Sequence, residues 1–403
     1  MKVTVFDRIM GSGKTTSIIN LLKEHKELKF IFVTPYKDEI KRVLEELEAE
    51  TPTSNKKGKE LIELLKQKKN VVITHELFKR IKYDEIKSLN LRNYSLIIDE
   101  QIDLFKLLDI SQTDVKMLEA SKTIKFVDDR VEIDNKEFFR EDSSHYKILN
   151  KINAGNVYHN NSILYELYDI SILKKFKEIF IMTYLFEGQL LHAYFKLYNI
   201  NVKIRKFENE DRPKKERLRE LIEVYQDKPK TKNNLNSNYL INKDSKTELK
   251  TILSSSSIDR LNEKQIKQLR NNLNNFFDKS YKILDQETKS KFNKVDCIMW
   301  TTKKSFKESI QDKGYINSFI ELNSKATNKY RDKSIVAYVY NRFLNPLETN
   351  FFKSKDIDID QDQYALSELV QWIWRSRIRN YQKIYLYIPS KRMRDLFLDW
   401  LCS

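Results

Sequence analysis

Glycine, proline, cysteine and histidine are all scarce in this chain of 403 residues, which has six glycines, six prolines, two cysteines and five histidines. The cysteines, Cys297 and Cys402, form neither a disulfide framework nor a metal-binding spacing, and the scattered histidines give no metal-ligand pair. No apolar run approaches the length of about eighteen residues that spans a bilayer. The N-terminus has no signal-peptide pattern. We therefore expect a cytoplasmic protein with no membrane partner.

Positive charge, in contrast, is abundant, because lysine and arginine exceed aspartate and glutamate to give a net charge of +16. Such an excess predicts a polyanionic partner, in the first place nucleic acid. An AT-rich gene would also enrich lysine, so charge alone leaves codon bias as an alternative. The length suits two ordinary domains, and 40% hydrophobic residues suffice for their cores.

The order of apolar and amphipathic segments predicts the fold class. Unbroken apolar runs such as Phe30–Val33 and Leu96–Ile98 alternate with helical segments over the first hundred residues. Strands of this kind, buried on both faces, are typical of a parallel sheet that is covered by helices. We therefore predict an α/β fold with two parallel-sheet domains in tandem and accessory insertions.

Shifts in composition predict the domain boundaries. The first domain is predicted at 1–205, with an accessory insertion at about 104–175. The polar stretch 206–290 is interpreted as a junction with accessory elements, and 291–403 as the second domain. Strands are predicted in this later part of the chain at 221–225, 297–300, 316–322, 335–340 and 384–388.

The strongest local signal is the run MGSGKTTS at Met10–Ser17, which directly follows the apolar strand Val3–Phe6. A glycine-rich turn between a strand and a helix points backbone N–H groups at an anion, and the helix adds its positive end. Lys14 is predicted to reach the β- and γ-phosphates, and the Thr15 hydroxyl to bind Mg²⁺. The predicted nucleotide-binding residues are Met10, Gly11, Ser12, Gly13, Lys14, Thr15 and Thr16.

A second signal is the strand Ser95–Ile98, which ends in Asp99 and Glu100. Two carboxylates at the carboxyl edge of a parallel sheet lie where ligands bind. Asp99 is predicted to bind Mg²⁺, directly or through water. Glu100 is predicted to orient and deprotonate the attacking water.

The third signal is the run QWIWRSRIR at Gln371–Arg379, in which three arginines alternate with other residues. A solvated basic helix face would also explain the arginines. Interleaved tryptophans and isoleucines, however, indicate a partly buried segment, and arginines held on a packed segment suit the charge of a γ-phosphate. The run therefore favours an arginine finger.

Taken together, the motifs resemble a superfamily 2 helicase of the DEAD/DEAH-related type, especially the short helicase-like proteins of tailed phages. They span residues 7–379, so the resemblance covers both predicted domains. It implies two RecA-like domains that use ATP and Mg²⁺, in the host-cell cytoplasm if the chain is phage-encoded. The resembling runs are MGSGKTT, FVTPYKDEIKR, ITHELF, IIDEQ, FIMTYLFEG, IMWTTKK, ATNKYRDK with AYVYNRFLNP, and QWIWRSRIR.

Several positions depart from the family pattern, and those in the second and third motifs loosen the link between ATP and movement. Ile102 replaces the usual Asp or His of the second motif, and Thr183-Tyr184 replaces Ala-Thr of the third. Trp374 stands where the last motif has glycine, and its arginines are spaced by two and four residues. The resemblance still implies that Gln371, Arg375 and Arg379 act in catalysis.

The family's nucleic-acid path implies phosphate contacts from loop ends of both domains. Short polar side chains and backbone amides at such places bind phosphates without reading bases. The implied contacts are Thr34, Tyr36, Lys37, Thr74, His75, Thr301, Thr302, Asn328 and Arg331.

The leading hypothesis is an ATP-dependent helicase or translocase that acts on single-stranded or branched DNA. The resemblance implies a setting in phage genome replication or recombination, with replication proteins as further partners. One alternative is a degenerate ATPase that binds DNA and recruits partners. Another is a terminase-like packaging ATPase, whose nuclease would need the acidic run Asp356, Asp358, Asp360 and Asp362.

Overall fold

The computed structural model describes residues 1–135, 145–225, 251–322 and 328–403. In chain order its strands are β1 Lys2–Asp7, β2 Lys29–Thr34, β3 Val71–Thr74, β4 Tyr94–Asp99, β5 Phe105–Leu107, β6 Ile124–Val127, β7 Arg130–Ile133, β8 Val157–Asn160, β9 Ile163–Leu167, β10 Glu178–Thr183, β11 Val202–Lys206, β12 Ile222–Val224, β13 Ile298–Thr301, β14 Ile335–Tyr338 and β15 Ile384–Tyr387. The helices are α1 Lys14–Glu24, α2 Lys37–Glu46, α3 Lys57–Lys66, α4 His75–Lys79, α5 Tyr83–Ile86, α6 Gln112–Ala120, α7 Tyr146–Asn153, α8 Ile170–Leu173, α9 Leu190–Leu197, α10 Glu208–Leu221, α11 Ser255–Ile258, α12 Glu263–Lys282, α13 Gln286–Lys291, α14 Lys294–Cys297, α15 Lys307–Ile310, α16 Pro346–Lys353, α17 Gln361–Ile373 and α18 Lys391–Cys402.

The chain folds into two units, each assembled from three separate segments of the chain. The first unit comprises 1–7, 13–206 and 344–360, and the second comprises 8–12, 207–343 and 361–403. The main division therefore falls next to the predicted boundary at 205. The segment 344–360 differs from the sequence-based assignment, because it lies in the first unit.

The first unit is built on a six-stranded sheet in the order β11-β1-β10-β4-β2-β3, and every neighbouring pair is parallel. All residues of β4 are buried, as the unbroken apolar run predicts. Because the strands are parallel, their carboxyl ends meet at one edge. The residues at these ends are Asp7, Thr34, Thr74, Asp99, Thr183 and Lys206.

Alternating side chains of these strands supply two separate cores. On β2, Ile31 and Val33 belong to one core, whereas Phe30 and Phe32 belong to the other, as the two-residue period of a strand requires. Helices α1 and α2 cover the second of these faces. Helices α3 and α9 cover the first. The sheet is thus enclosed on both faces, as predicted.

The predicted insertion contains a separate antiparallel sheet in the order β5-β9-β8-β7-β6. Strands β6 and β7 form a hairpin that is joined through Asp128 at a φ of 52°. A small core that includes Val115 of α6 and Leu149 of α7 packs on this sheet. The insertion therefore carries its own hydrophobic core.

Helix α16 is the late segment that joins the first unit. Its Phe351 ring lies 4.6 Å from the Tyr165 ring and 5.1 Å from the Phe105 ring, centroid to centroid. Phe352 lies 4.6 Å from Phe105, and the Tyr165 hydroxyl donates to the Leu347 carbonyl at 2.9 Å. This aromatic cluster binds α16 to strands β5 and β9. A pair of adjacent phenylalanines in sequence gives no sign of such a distant partner.

The second unit has a four-stranded parallel sheet in the order β12-β15-β14-β13. Strand β12 lies in the stretch that was interpreted as a junction, and it forms the edge of this sheet. The strand predicted at 316–322 is wrong, because 316–318 forms a 3-10 turn and only Phe319 bridges to Trp300. The Trp300 indole N–H donates to the Tyr315 carbonyl at 2.9 Å, and the Ser318 hydroxyl donates to the Val295 carbonyl at 3.0 Å, which favours the turn.

A membrane-spanning helix needs about 20 predominantly apolar residues. Among the described residues, no helix combines the length and the apolar character needed to cross a bilayer.

Replacement of Phe351 by alanine tests the docking of α16. Phe351 is 1% exposed within the aromatic cluster, so its removal leaves a cavity that should lower the free energy of unfolding by about 3–5 kcal/mol. Guanidinium unfolding followed by far-UV circular dichroism measures this change. Leu347→Ala on the same helix is the matched control, because this side chain is 36% exposed and should change stability by less than about 1 kcal/mol. Equal losses in the two variants would contradict the docking.

Candidate active site

The candidate phosphate loop lies between β1 and α1. Gly11 and Gly13 have φ values of 69° and 79°, in the left-handed region that favours glycine. Nothing lies within 4 Å of a Cβ placed on Gly13, so the backbone conformation alone demands glycine there. Gly13 is the N-cap of α1, and no side chain caps it. The N-terminus of a helix is where backbone N–H groups and the helix dipole favour an anion, so the start of α1 remains the predicted phosphate site.

Thr15 and Asp99 meet at the start of α1. The Thr15 hydroxyl donates to Asp99 Oδ1 at 3.0 Å, although the two residues are 84 positions apart. Asp99 is only 6% exposed, and burial, reinforced by the nearby Glu100 and Glu39 carboxylates, raises its pKa to about 7. Hydrogen bonding by Thr15 and the charge of Lys14 act in the opposite direction. A bound cation would offset the cost of ionising this carboxylate.

These two side chains fit a Mg²⁺ site. Mg²⁺ in nucleotide sites takes one or two protein oxygens and completes its shell with phosphate oxygens and water. A hydroxyl and a single buried carboxylate meet that requirement. Among the described residues, no group of three or more His, Cys, Asp or Glu side chains is arranged to hold a metal by itself. The donor set therefore suits a metal that arrives with a nucleotide.

Glu100 follows Asp99 in an unusual backbone conformation. Its φ is 63°, and its N–H donates to the Met182 carbonyl at 2.9 Å, which fixes the backbone against β10. The side chain is exposed. Its Oε2 accepts a hydrogen bond from the Tyr36 hydroxyl at 2.8 Å. The sequence had assigned Tyr36 to phosphate contact and gave no indication of this bond.

Two side chains of α2 also reach this region and were missed by the sequence reading. The Arg42 guanidinium donates to Thr16 Oγ1 at 2.7 Å and to Glu39 Oε1 at 2.9 Å. Glu39 is half-buried, and burial is the main cause that raises its pKa, with Arg42 opposing it and Glu100 adding to it. The signal in sequence was an i, i+3 pair on the helix that follows β2.

Most of the predicted nucleic-acid contacts of the first unit stabilise strand ends. Thr34 is buried, and the Thr74 hydroxyl accepts from Leu77 N at 3.1 Å as the cap of α4. His75 is also buried, and its Nε2 bonds the Asp99 carbonyl at 2.9 Å, which requires the proton on Nε2. Thr74 and Tyr36 are half-buried, and Lys37 is exposed.

Asp7 is a strand-end residue that the sequence reading missed. Its carboxylate accepts from Leu185 N at 2.7 Å and from Phe186 N at 3.1 Å. Leu185 has a φ of 55°, a conformation that costs a residue other than glycine on the order of 1–3 kcal/mol. Burial raises the pKa of Asp7 despite the two N–H groups that lower it. Asp7 thus holds the turn after β10. This turn lies in the run that resembles the third motif of superfamily 2 helicases.

In the second unit, Asp211 of α10 holds the residues that follow β1. It accepts from Arg8 Nη2 at 3.0 Å and from Ile9 N at 2.9 Å. The Ser12 N–H donates to the Ile9 carbonyl at 3.3 Å, within the same short segment. This arrangement gives a role to Arg8, which stands where the full P-loop pattern G-x-x-x-x-G-K-[ST] has its first glycine.

Trp374, the residue that replaces glycine in the last motif, packs directly on Gly11. A Cβ on Gly11 would lie 2.7 Å from Cζ2 of the Trp374 ring, which no side chain tolerates without movement. Trp374 lies edge-on to Tyr381, with ring centroids 6.2 Å apart. Gly11 is therefore required both for its φ and for this close approach.

The three arginines of the last motif have different surroundings. Arg377 is buried and donates to Thr288 Oγ1 at 3.0 Å and to the Lys383 carbonyl, so it stabilises the second unit. Arg375 is half-buried and donates to the Leu322 carbonyl at 3.2 Å. Arg379 is half-buried, and within the described part of the chain its side chain has no hydrogen bond or ion pair. Gln371 donates to Ser367 Oγ at 3.1 Å on α17.

The remaining predicted contacts of the second unit also differ in exposure. Thr301 and Thr302 are buried, and Thr302 donates to the Val339 carbonyl at 2.8 Å, so their burial disfavours direct phosphate contact. Arg331 is exposed. The run 326–333 begins outside the described residues, and of Asn328 only the backbone is described.

Replacement of Asp99 by asparagine tests the cost of the buried carboxylate. Because the pKa of Asp99 is raised from 3.8 to about 7 in the folded protein, stability in metal-free buffer falls as pH rises through this range. We expect Asp99→Asn to exceed the wild type in free energy of unfolding at pH 8, by at most about 4 kcal/mol, and to approach it at pH 4. Denaturant unfolding in EDTA measures the difference. A difference that does not change with pH would contradict the buried carboxylate.

Similarity to known proteins agrees with this architecture. The chain is 34% identical over 432 aligned residues to the SPbeta prophage-derived uncharacterized protein YonV of Bacillus subtilis (strain 168), which covers 99% of this chain and 98% of that protein. Residues 216–401 match the family model described as the YonV C-terminal Rossmann-like domain.

Among solved structures, one titled XPD_APO has a TM-score of 0.52 at 14% identity and covers 100% of this chain and 95% of its own. Another, titled XPD_Helicase, has a TM-score of 0.49 at 13% identity. It covers 100% of this chain and 94% of its own. The similarity to the structure titled XPD_APO concerns the fold alone. With the two parallel sheets, it confirms the predicted fold class of tandem RecA-like domains with accessory insertions. By its relation to the Bacillus subtilis protein along nearly the whole of both chains, the chain belongs to the YonV family.

Proposed function

We propose that this protein is a superfamily 2 helicase-type ATPase, stimulated by nucleic acid, that translocates on or unwinds DNA. The observation that carries the proposal is the hydrogen bond from the Thr15 hydroxyl to Asp99. It joins the residue after the loop lysine to the carboxylate at the end of a neighbouring strand, and these are the two protein groups that a nucleotide-bound Mg²⁺ requires. The prophage origin of the YonV relative supports a setting in phage genome replication or recombination, in the host-cell cytoplasm.

In the proposed reaction, the oxygen of a water molecule bonds to the γ-phosphorus of ATP while the bond to the β,γ-bridging oxygen breaks. Glu100 orients this water and accepts its proton. Lys14 and the first N–H groups of α1 bind the phosphates. Mg²⁺, held by Thr15 and Asp99, would supply positive charge to the phosphate oxygens. Arg375 and Arg379, with Gln371 beside them in the same motif, are proposed to stabilise the charge that develops on the γ-phosphate.

Nucleic acid is proposed to contact the first unit through Tyr36 and Lys37 and the second through Arg331 and Asn328. The net charge of +16 supports a phosphate-backbone partner. The buried threonines and His75 are proposed to support these loops through the strand ends. Replication proteins are proposed as further partners.

Lys14→Ala tests the nucleotide site. We expect ATP hydrolysis to fall on the order of 100-fold or more, because the charge that binds the phosphates is lost. Hydrolysis is measured with and without single-stranded DNA, duplex DNA and RNA. Lys23→Ala is the matched control, since Lys23 lies on the same helix in an exposed pair with Glu46.

Three outcomes of that assay separate the hypotheses. Hydrolysis that rises with DNA and is lost in Lys14→Ala supports the motor. If no nucleic acid changes the rate of ATP hydrolysis by the wild type, the proposed stimulation by nucleic acid is contradicted. DNA binding without any hydrolysis would favour the degenerate ATPase that recruits partners.

Arg379→Ala tests the proposed finger. We expect kcat to fall by about 10³, because the charge near the γ-phosphate is lost, while the Kd for a fluorescent ATP analogue stays within about threefold. Arg260→Ala is the control, because Arg260 is an exposed arginine of the same unit. A finger role for Arg379 is excluded when its variant hydrolyses ATP as fast as the control.

The packaging ATPase with a metal nuclease is less well supported. Asp362 forms an ion pair with Arg392 at 2.6 Å, and Asp356 has a φ of 57° in the turn after α16. In the described ranges these aspartates form no metal-binding group. We therefore do not favour a nuclease function.

A further inference from the structure

The bond between Tyr36 and Glu100 links two residues with different proposed tasks. Tyr36 lies at the end of β2, beside the exposed Lys37, where the DNA backbone is proposed to bind. Glu100 lies at the end of β4 and is proposed to activate water. Strands β2 and β4 are neighbours in the sheet, with Val33 paired to Ile98, so both residues lie at the same edge.

The backbone on both sides of this bond is fixed. Tyr36 is the extended N-cap of α2, and its N–H points to Thr34 Oγ1 at 3.5 Å. Glu100 is held by its N–H bond to Met182 at 2.9 Å. The hydroxyl and the carboxylate can separate by side-chain rotation alone. A rotation of this kind needs no rearrangement of the sheet.

A tyrosine hydroxyl carries one proton and donates one hydrogen bond at a time. The proton that now goes to Glu100 Oε2 cannot also go to a phosphate oxygen. Because the two bonds exclude each other, DNA binding through Tyr36 and the Tyr36–Glu100 bond oppose each other by equal free energies. The adjacent Lys37 ammonium attracts the same phosphate.

We propose that Tyr36 restrains Glu100 until the DNA backbone takes its hydroxyl, so that this one bond makes ATP hydrolysis depend on DNA. While the bond is present, the carboxylate is held toward β2. When the hydroxyl turns to a phosphate, Glu100 is free to turn to the attacking water. The inference rests on the proposed function and assigns Tyr36 as a positioning residue that acts through Glu100.

Tyr36→Phe removes only the hydroxyl and provides the test. We expect ATP hydrolysis without DNA to rise about tenfold, as the loss of a hydrogen bond to a charged group allows. The rate with a single-stranded DNA oligonucleotide should stay near the wild-type value, so the stimulation ratio falls toward one. Tyr83→Phe is the matched control, because Tyr83 is 39% exposed on α5, and it should leave both rates unchanged. A misfolded variant cannot give a higher rate.

A second measurement uses DNA binding rather than activity. Glu100→Gln should tighten single-stranded DNA binding, partly because a negative charge is lost and partly because Tyr36 is released. In the Tyr36→Phe background, Glu100→Gln still removes a negative charge, but no tyrosine hydroxyl is left to be released. We therefore expect Glu100→Gln to tighten DNA binding by a factor that is at least about threefold smaller in the Tyr36→Phe background than in the wild type. Fluorescence anisotropy of the four proteins gives this double-mutant cycle.

The outcomes separate this inference from the proposed function. Wild-type hydrolysis that DNA does not stimulate contradicts both the proposed function and the release of Glu100 by DNA. Stimulated wild-type hydrolysis with an equal or lower DNA-free rate in Tyr36→Phe overturns the inference. Equal effects of Glu100→Gln in the two backgrounds would also overturn it.

Discussion

The hydrogen bond from the Thr15 hydroxyl to the Asp99 carboxylate depends on one constraint, the common carboxyl edge of a parallel sheet. Residues that are 84 positions apart meet there because parallel strands end on the same side. Burial at this edge makes an ionised carboxylate costly, and the raised pKa of Asp99 expresses that cost. The fold therefore provides a site that a divalent cation would stabilise. In the metal-free protein, the ionised Asp99 carboxylate would lower stability, and a bound cation would offset this loss.

Polar groups at other strand ends of the first unit bond backbone groups of the adjoining loops. Asp7 accepts two N–H groups of the turn after β10, and His75 bonds the Asp99 carbonyl. Buried polar groups must find partners, and at a strand end the nearest partners are the N–H and C=O groups of the adjoining loops. Asp7 lies beside the run that resembles the third superfamily 2 motif, where Thr183-Tyr184 replaces Ala-Thr. Its carboxylate gives this turn a support that does not depend on the usual Ala-Thr.

Helix α16 shows how tertiary packing reassigns a segment. The chain leaves the second unit at 344 and returns at 361, and between these points it packs its aromatic side chains on the insertion. The insertion's edge strand β5 would otherwise expose Phe105, and α16 covers that ring. Helix α17, which begins at Gln361 and leads to the predicted catalytic arginines, follows this segment directly in sequence. The accessory sheet and the last motif are thus joined by a short stretch of chain.

The sequence by itself determined the fold class, because unbroken apolar runs that alternate with helical segments are the local pattern of a parallel sheet covered by helices. It also predicted the phosphate loop and the acidic pair at the end of β4, Asp99 and Glu100. It could not indicate the partners of Tyr36, Asp7 or Asp211, since a hydrogen bond between distant residues leaves no periodic pattern. It assigned a strand to 316–322, where side-chain bonds from Trp300 and Ser318 favour a turn. Only the tertiary structure decided which polar residues hold the backbone and which of the remaining side chains are exposed, because burial depends on neighbours that the chain supplies from far away.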